Sequence, residues 1–198
     1  MLDHVFLDAI GALRVALESA MLERQALEER FQTDVLLGDI TWESSYGLPG
    51  EGLPPRVQVE LRLEWPTWAQ TAYRRWYLEK DYDEDPQIGL EIVLRVQRLM
   101  SPANPTVIMN AIGGKRLLVG GEAVVSLGPI VETVYDPELA VVSHAAEVSF
   151  SGSYDLGEKE LENGDALDED FATIGGWITS ALVRLGDLPL AYLEPETE

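Results

Sequence analysis

The chain has 198 residues, of which 46% are hydrophobic, a length and composition that suit one compact domain with an appended element and exclude a disordered chain. Its 14 basic and 35 acidic residues give a net charge of −21, which opposes specific nucleic-acid binding because that binding needs basic side chains at the phosphates. The absence of cysteine excludes disulfides and thiolate metal sites.

The first predicted element is a long helix over residues 3–31, with Asp3 as its N-cap. Its apolar side chains recur every three or four positions and so share one stripe, formed by Phe6, Ile10, Leu13, Leu17 and Met21. The charged stretch 23–30 is expected to project toward solvent or a partner. The start of the chain is acidic, so we expect no secretory signal and synthesis in the cytoplasm. No apolar run reaches the roughly 20 residues of a membrane span, and we expect no membrane partner.

Several strands follow the helix. Residues 35–46 are predicted as a first strand, and the glycine- and proline-rich residues 47–55 as a loop. Residues 56–65 and 88–98 alternate strictly between apolar and polar side chains, which is typical of strands with one buried and one wet face. Two such strands favour an antiparallel or mixed sheet with a helix on one face.

The segment between these strands, 67–86, is first aromatic and basic and then acidic. We predict a loop or an extended hairpin here, and its length suggests a function because long connections without regular structure are uncommon in compact domains.

The second half of the chain continues the α+β pattern. Asn104 and Pro105 open a short helix that Gly113 ends, and residues 122–135 and 143–156 are predicted as a strand pair. Seven of the fourteen residues in 157–170 are acidic, so this segment is interpreted as a linker. An amphipathic helix follows, although Gly175 and Gly176 in its middle each cost roughly 1 kcal/mol.

The sequence therefore predicts an α+β fold: an antiparallel or mixed sheet with a long N-terminal helix packed on one face, plus a C-terminal helix. A core domain is expected over residues 1–156. Residues 157–198 are expected to hold the acidic linker, the C-terminal helix and an extended tail.

Candidate chemical motifs fail at particular positions. Asp81, Asp83 and Asp85 have the spacing of a calcium loop, but Pro86 replaces the turning glycine and Ile92 replaces the bidentate glutamate. A solvated acidic tip is the preferred interpretation, with a weak adventitious cation site as the alternative.

The remaining motifs fail in the same way. Gly113 and Gly114 precede a lysine, but a phosphate loop also needs a glycine where Met109 stands and a hydroxyl residue where Arg116 stands. His4 and His144 are the only histidines and have no zinc-binding or nucleophile-activating neighbours in sequence. We therefore predict no catalytic residues, no cofactor, no metal and no enzymatic activity.

Two segments instead have the composition of a protein interface. Aromatic and arginine side chains, which dominate interface hot spots, are concentrated within the thirteen residues 65–77. The apolar tail is expected to lie along a neighbour's sheet edge. The predicted interface residues are Trp68, Tyr73, Arg74, Arg75, Trp76, Tyr77, Leu188, Leu190, Tyr192 and Leu193. The alternative is that the aromatic side chains fill the core and the arginines pair with the acidic run beside them.

The order of elements resembles that of phage tail terminator and related tail-completion proteins. The resemblance covers about residues 3–156. It includes a strand that follows a proline-rich segment, at residues 53–61, and the end of a late strand, at residues 145–154. It implies a homo-oligomeric ring, commonly a hexamer, located in the neck or tail of the virion and made in the host cytoplasm. Its partners would be the tail tube and head-connector proteins. DNA would pass through a negative channel without specific binding.

Three other functions remain open at this point. The first is an acidic assembly or export chaperone that holds unfolded or partner proteins on an apolar groove. The second is an acidic mimic of nucleic acid. The third is an enzyme whose motif cannot be recognised. The acidity itself has a simpler explanation, because net charge also keeps a protein soluble.

Overall fold

The structure is a computed structural model that describes residues 4–21, 27–36, 38–48, 54–82, 84–114, 116–119, 122–126, 128–136, 141–162 and 164–194. It is an α+β fold, as the sequence predicts. In chain order its elements are α1 (His4–Met21), β1 (Leu27–Leu36), β2 (Asp39–Gly47), β3 (Val57–Trp65), α2 (Thr67–Tyr77), β4 (Gln87–Leu99), α3 (Pro105–Ile112), β5 (Arg116–Val119), β6 (Glu122–Ser126), β7 (Ile130–Asp136), β8 (Val141–Asp155), α4 (Glu158–Glu162) and α5 (Gly164–Gly186).

The sheet has eight strands in the order β1-β2-β3-β4-β8-β6-β5, and β7 also pairs with β8. Every pairing between these strands is antiparallel. The long strand β8 has β4 on one side. On its other side β7 pairs with residues 141–147 and β6 pairs near Phe150 and Ser151.

The helices α1 and α5 pack against one face of this sheet. Phe6 of α1 stacks on Trp65 with ring centroids 6.0 Å apart, and the Trp177 ring of α5 meets Phe150 edge-on at 5.0 Å. The alternating apolar residues of β3 (57–65, odd positions) and β4 (88–96, even positions) point to this face and are at most 3% exposed, whereas Val93 of β4 lies on the opposite face. The alternation predicted for 56–65 and 88–98 is confirmed.

Close packing of α1 on α5 explains one of the two central glycines of α5. A Cβ added at Gly175 would lie 2.6 Å from the Cβ of Ala16, whereas one added at Gly176 would meet no atom within 4 Å. The absence of a side chain at Gly175 therefore lets the two helix backbones approach, which offsets the conformational cost of glycine in a helix. The predicted C-terminal helix is confirmed.

The predicted N-terminal helix is too long. Helix α1 ends at Met21, and Leu27–Leu36 is instead a strand that pairs with β2. The strand predicted over 35–46 is interrupted at Gly38, whose φ of 94° makes the turn between β1 and β2. The charged sequence of β1 does not alternate strictly between apolar and polar residues, so it carries no local strand signal. Its pairing with β2 overrides the helical preference of residues 27–31.

The segment predicted as a loop or hairpin at 67–86 begins with an 11-residue helix, α2. The residue before it is Pro66, which provides no side-chain cap. The cap comes from Asp39, whose Oδ1 accepts hydrogen bonds from the Thr67 backbone N–H at 2.6 Å and from the Thr67 hydroxyl at 2.7 Å. Because this cap is 28 residues away in sequence, a search for local start signals misses the helix.

The acidic stretch 157–170 is helical rather than a linker, since it contains α4 and the start of α5. Tyr154 at the end of β8 donates a hydrogen bond of 2.7 Å to Asp170 in α5. Leu161 and Leu167 are buried in the same core cluster as the residues of the sheet. The hydrophobic core thus continues across the predicted boundary at 156.

The short helix α3 is confirmed with both of its predicted ends. Asn104 accepts a hydrogen bond from the Thr106 backbone N–H at 2.9 Å, and Gly113 takes the left-handed conformation with φ 99°. Residues 122–135, predicted as one strand, form the two strands β6 and β7, of which β7 pairs with β8 as expected.

Candidate interaction surface

Helix α2 carries most of the aromatic and arginine residues that the sequence singles out. It connects the neighbouring strands β3 and β4. Besides the Asp39 cap, the side chain of Gln70 fastens it by donating to the carbonyl oxygens of Gly38 at 2.7 Å and Trp65 at 2.9 Å. Because these contacts fix the helix against the β1–β2 turn, its side chains are presented on a rigid element.

The structure places Tyr73 in the core, where it is 1% exposed. Its ring lies 6.1 Å from that of Trp65, 5.8 Å from that of Trp76 and 5.7 Å from that of His4. The prediction that Tyr73 contacts a partner is therefore corrected, because its side chain is enclosed by α1 and β3. Trp76 is partly buried against the same core.

The exposed residues of α2 do not form one patch. Trp68 is 45% exposed and shares a shallow depression with Arg75, while Tyr77 is 60% exposed and lies beside Leu78, which is 58% exposed. Trp68 and Tyr77 are nine residues apart, which places them on opposite sides of a helix with 3.6 residues per turn. Arg74 is also exposed.

The acidic turn after α2 shows no sign of a cation site in the residues described. Asp81, Glu84 and Asp85 are exposed, whereas Asp83 lies outside the described residues. Among described side chains, no group of three or more His, Asp or Glu residues is arranged to hold a metal ion. The solvated acidic tip stays a prediction.

The C-terminal segment 188–193 lies along its own chain. The Leu193 backbone N–H donates to the carbonyl of Arg98 at 2.7 Å, the Met100 N–H donates to the carbonyl of Ala191 at 2.9 Å, and Leu99 and Tyr192 form an antiparallel bridge. Leu188, Leu190 and Tyr192 pack against the hydrophobic core. Their contact with a neighbouring chain stays a prediction, and within one chain this segment already covers the end of β4.

Two arginines hold this segment in place. The Arg98 side chain donates to the carbonyl of Leu193 at 2.9 Å, and the guanidinium carbon of Arg56 lies 4.9 Å from the centre of the Tyr192 ring, a cation–π distance. Burial raises the pKa of the Tyr192 hydroxyl, and the charge of Arg56 lowers it by a smaller amount. Arg98 has a φ of 60° at the irregularity in β4, which turns the strand end toward the tail.

The face of the sheet opposite α1 and α5 is strongly acidic, although it also carries the apolar residues Val93, Ile130 and Val134. Its central part carries six glutamates and only two arginines, namely Glu43, Glu60, Glu64, Glu91, Glu132, Glu147, Arg62 and Arg95. A depression of about 280 Å³ lies over this face between Glu43 and Glu91. We call this surface the open face.

The arginines of the open face each contact two carboxylates. Arg95 lies 2.8 Å from Glu147 and 3.1 Å from Glu132, and Arg62 lies 2.7 Å from Glu64 and 3.7 Å from Glu43. The exposed Arg62 pairs each contribute at most about 1 kcal/mol, and the Arg95 pairs are partly buried. Because carboxylates outnumber guanidinium groups, the face remains negative after every pair is formed.

The sequence predicted only part of the open face. The period-two alternation placed its glutamates on the wet side of β3 and β4, but no local signal showed that both major helices would pack on the other side.

The two histidines make structural contacts. The ring Nδ1 of His144 lies 3.0 Å from the hydroxyl of Thr133 across the β7–β8 ladder, and the His4 ring lies 3.2 Å from the Tyr73 hydroxyl. Neither contact includes a carboxylate that would orient a catalytic base. Gly113 and Gly114 lie in the turn that ends α3, with φ values of 99° and 114°.

In the part of the chain that the structure describes, no helix combines the length and apolar character needed to cross a membrane. No protein-family model matches the sequence, and no curated protein or solved structure is significantly similar to it.

Proposed function

We propose that the protein is a structural subunit of a phage neck or tail, forming a ring as a tail terminator or head–tail connector component. The open face is the observation that carries this proposal. It is a broad antiparallel surface that neither α1 nor α5 covers, and its glutamates outnumber its arginines six to two. The resemblance of the sequence to tail terminator proteins, at the strand entry 53–61 and the late strand 145–154, motivates the same function.

The open face suits the wall of a channel through which DNA moves. Nucleic-acid binding needs cations that replace the counterions of the phosphates, and glutamate side chains provide none. Repulsion between carboxylates and phosphates extends over about 10 Å at 0.1 M salt. DNA facing such a wall would slide past without adhering, while the ring binds tail tube and connector proteins through other surfaces.

The test is native mass spectrometry and electron microscopy of the full chain. We expect a closed ring with a central channel and no retention of duplex DNA. The double variant Glu60→Lys with Glu91→Lys should retain DNA, because it places two cations on the proposed wall. Asp168→Lys with Glu169→Lys makes the same charge change at exposed positions of α5 and serves as the control.

Two outcomes would contradict the proposal. A strictly monomeric protein at high concentration would rule out the ring. Equal DNA retention by the two charge-reversal variants would show that retention depends on the net charge of the protein and not on the charge of the open face.

An assembly or export chaperone is the second candidate, favoured by an apolar groove between α1 and α5. Leu7 and Val15 are each 63% exposed beside Gly11, and Ala172 of α5 completes the groove. An extended or helical client could bind there through apolar contacts. Suppression of client aggregation by a monomer, without ring formation, would favour this function over the neck assembly.

A further inference from the structure

Strand β7 is an edge strand whose outer side could pair with a further strand. All seven residues of β7 pair with β8 on one side. Within the described part of the chain, β7 pairs with no strand on its other side. An edge of this kind presents unpaired backbone N–H and C=O groups and so provides a template for another strand.

The side chains of β7 do not protect this edge. Ile130 is 59% exposed, Val134 is 46% exposed and Tyr135 is 61% exposed. Residues 130–136 contain neither lysine nor proline, which commonly prevent edge pairing, and their charged residues are Glu132 and Asp136. The carboxylate of Glu132 is occupied by Arg95 at 3.1 Å. A strand edge with three exposed apolar or aromatic side chains and no lysine or proline is typical of a contact surface.

The opposite edge of the same sheet is β1, which in the described residues pairs with β2 alone. The path β1-β2-β3-β4-β8-β7 contains six strands joined by five antiparallel pairings. Its two outer strands therefore run in opposite directions. When copies are related by rotation about a ring axis, β7 of one copy meets β1 of the next in the antiparallel orientation that continues the ladder.

We propose that β7 of one copy pairs with β1 of the next, so that the sheets join into one continuous antiparallel wall around the ring. This inference rests on the proposed ring and names the surfaces that close it. The contact is heterologous, because two different edges meet, and repeated heterologous contacts close into rings when the rotation permits. In this arrangement the open faces of all copies lie on the same side of the wall.

Disulfide cross-linking tests the pairing directly, because the natural chain contains no cysteine. A Val134→Cys variant is mixed with variants that carry one cysteine at successive positions of β1, Leu27–Leu36, and the mixtures are oxidised. We expect cross-linked heterodimers whose yield alternates with a period of two along β1, because alternate residues of a strand face the same side. The Val134→Cys variant alone should give no dimer.

A charge variant provides an independent measurement. Val134→Lys adds a cation at the proposed contact and should convert rings to monomers in native mass spectrometry at a concentration where the natural chain is assembled. Val142→Lys is the matched control, since Val142 is also 46% exposed but lies on β8, on the other side of β7 from the contact. Circular dichroism verifies that both variants are folded.

The outcomes separate the two proposals. Rings without cross-links to β1, and undisturbed by Val134→Lys, would overturn the β7–β1 pairing and leave the ring in place. A homodimer of Val134→Cys would show that β7 pairs with itself and would overturn the heterologous contact. The absence of rings from the natural chain would overturn the proposed function, and with it the basis of this inference.

Discussion

The two faces of the sheet are built from the same strands but differ in how far their side chains are buried. On the covered face the side chains are almost fully buried, and Phe150 is 0% exposed against Trp177 of α5. On the open face, Ser149 and the glutamates remain in contact with solvent. Stability therefore depends on the covered face, whereas the open face is free to carry charge that a partner or a passing polymer encounters.

The largest expected difference between the faces is in the cost of truncating a side chain. Phe150→Ala should lower the free energy of unfolding by about 3–5 kcal/mol, because it leaves a cavity beneath α5. Ser149→Ala, one residue away on the open face, should change it by no more than about 0.5 kcal/mol. Urea denaturation of both variants measures the contrast. Equal effects would show that the two faces are not packed differently.

The contact between α1 and α5 covers one face, and two adjacent glycines probe it. Gly175→Ala should destabilise the fold by about 1–3 kcal/mol, because the new Cβ would lie 2.6 Å from that of Ala16. Gly176→Ala should stabilise it by about 0.5–1 kcal/mol, since that position is open and alanine favours helix. Thermal unfolding would contradict the helix packing if the two substitutions acted alike.

A smaller effect is expected at the hydrogen bond between Tyr154 of β8 and Asp170 of α5. Burial, together with the hydrogen bond to Asp170, raises the pKa of the Tyr154 hydroxyl. The neutral hydroxyl therefore stabilises the fold below the unfolded-state pKa of about 10, and this contribution is lost as the pH rises above that value. Tyr154→Phe should cost about 1 kcal/mol at neutral pH.

The dependence of the unfolding free energy on pH provides the control for Tyr154→Phe. Unfolding free energies measured from pH 8 to 11 should fall more steeply for the natural chain than for Tyr154→Phe, because the variant has no hydroxyl to ionise. Parallel profiles would mean that Tyr154 does not contribute to alkaline unfolding.

Prediction from the sequence succeeded where the signal was local. The alternation in β3 and β4 and the capping residues of α3 identified those elements, because each depends on neighbours within a few residues. The apolar stripe of α1 identified the helix but not its end. The strand β1 was missed because its stability comes from pairing with β2, and α2 was missed because its cap is Asp39, which is distant in sequence.

The exposure of the candidate interface residues was predicted in part. The exposed positions of Trp68, Arg74 and Tyr77 agree with an outward-facing role, whereas Tyr73 proved to be a core residue. Composition could not separate these residues, since aromatic side chains are equally suited to a core and to an interface. Only the direction in which α2 packs decided which of them are enclosed.

The sequence by itself determined the α+β class, the alternating strands and the acidity, because periodicity and charge are properties of the residues themselves. Tertiary structure alone decided that both major helices cover the same face, that Leu161 and Leu167 of the acidic stretch belong to the core, and that segment 188–193 closes over its own β4. Those outcomes depend on contacts between residues far apart in sequence, such as Ala16 with Gly175 and Arg98 with Leu193, which no local pattern encodes.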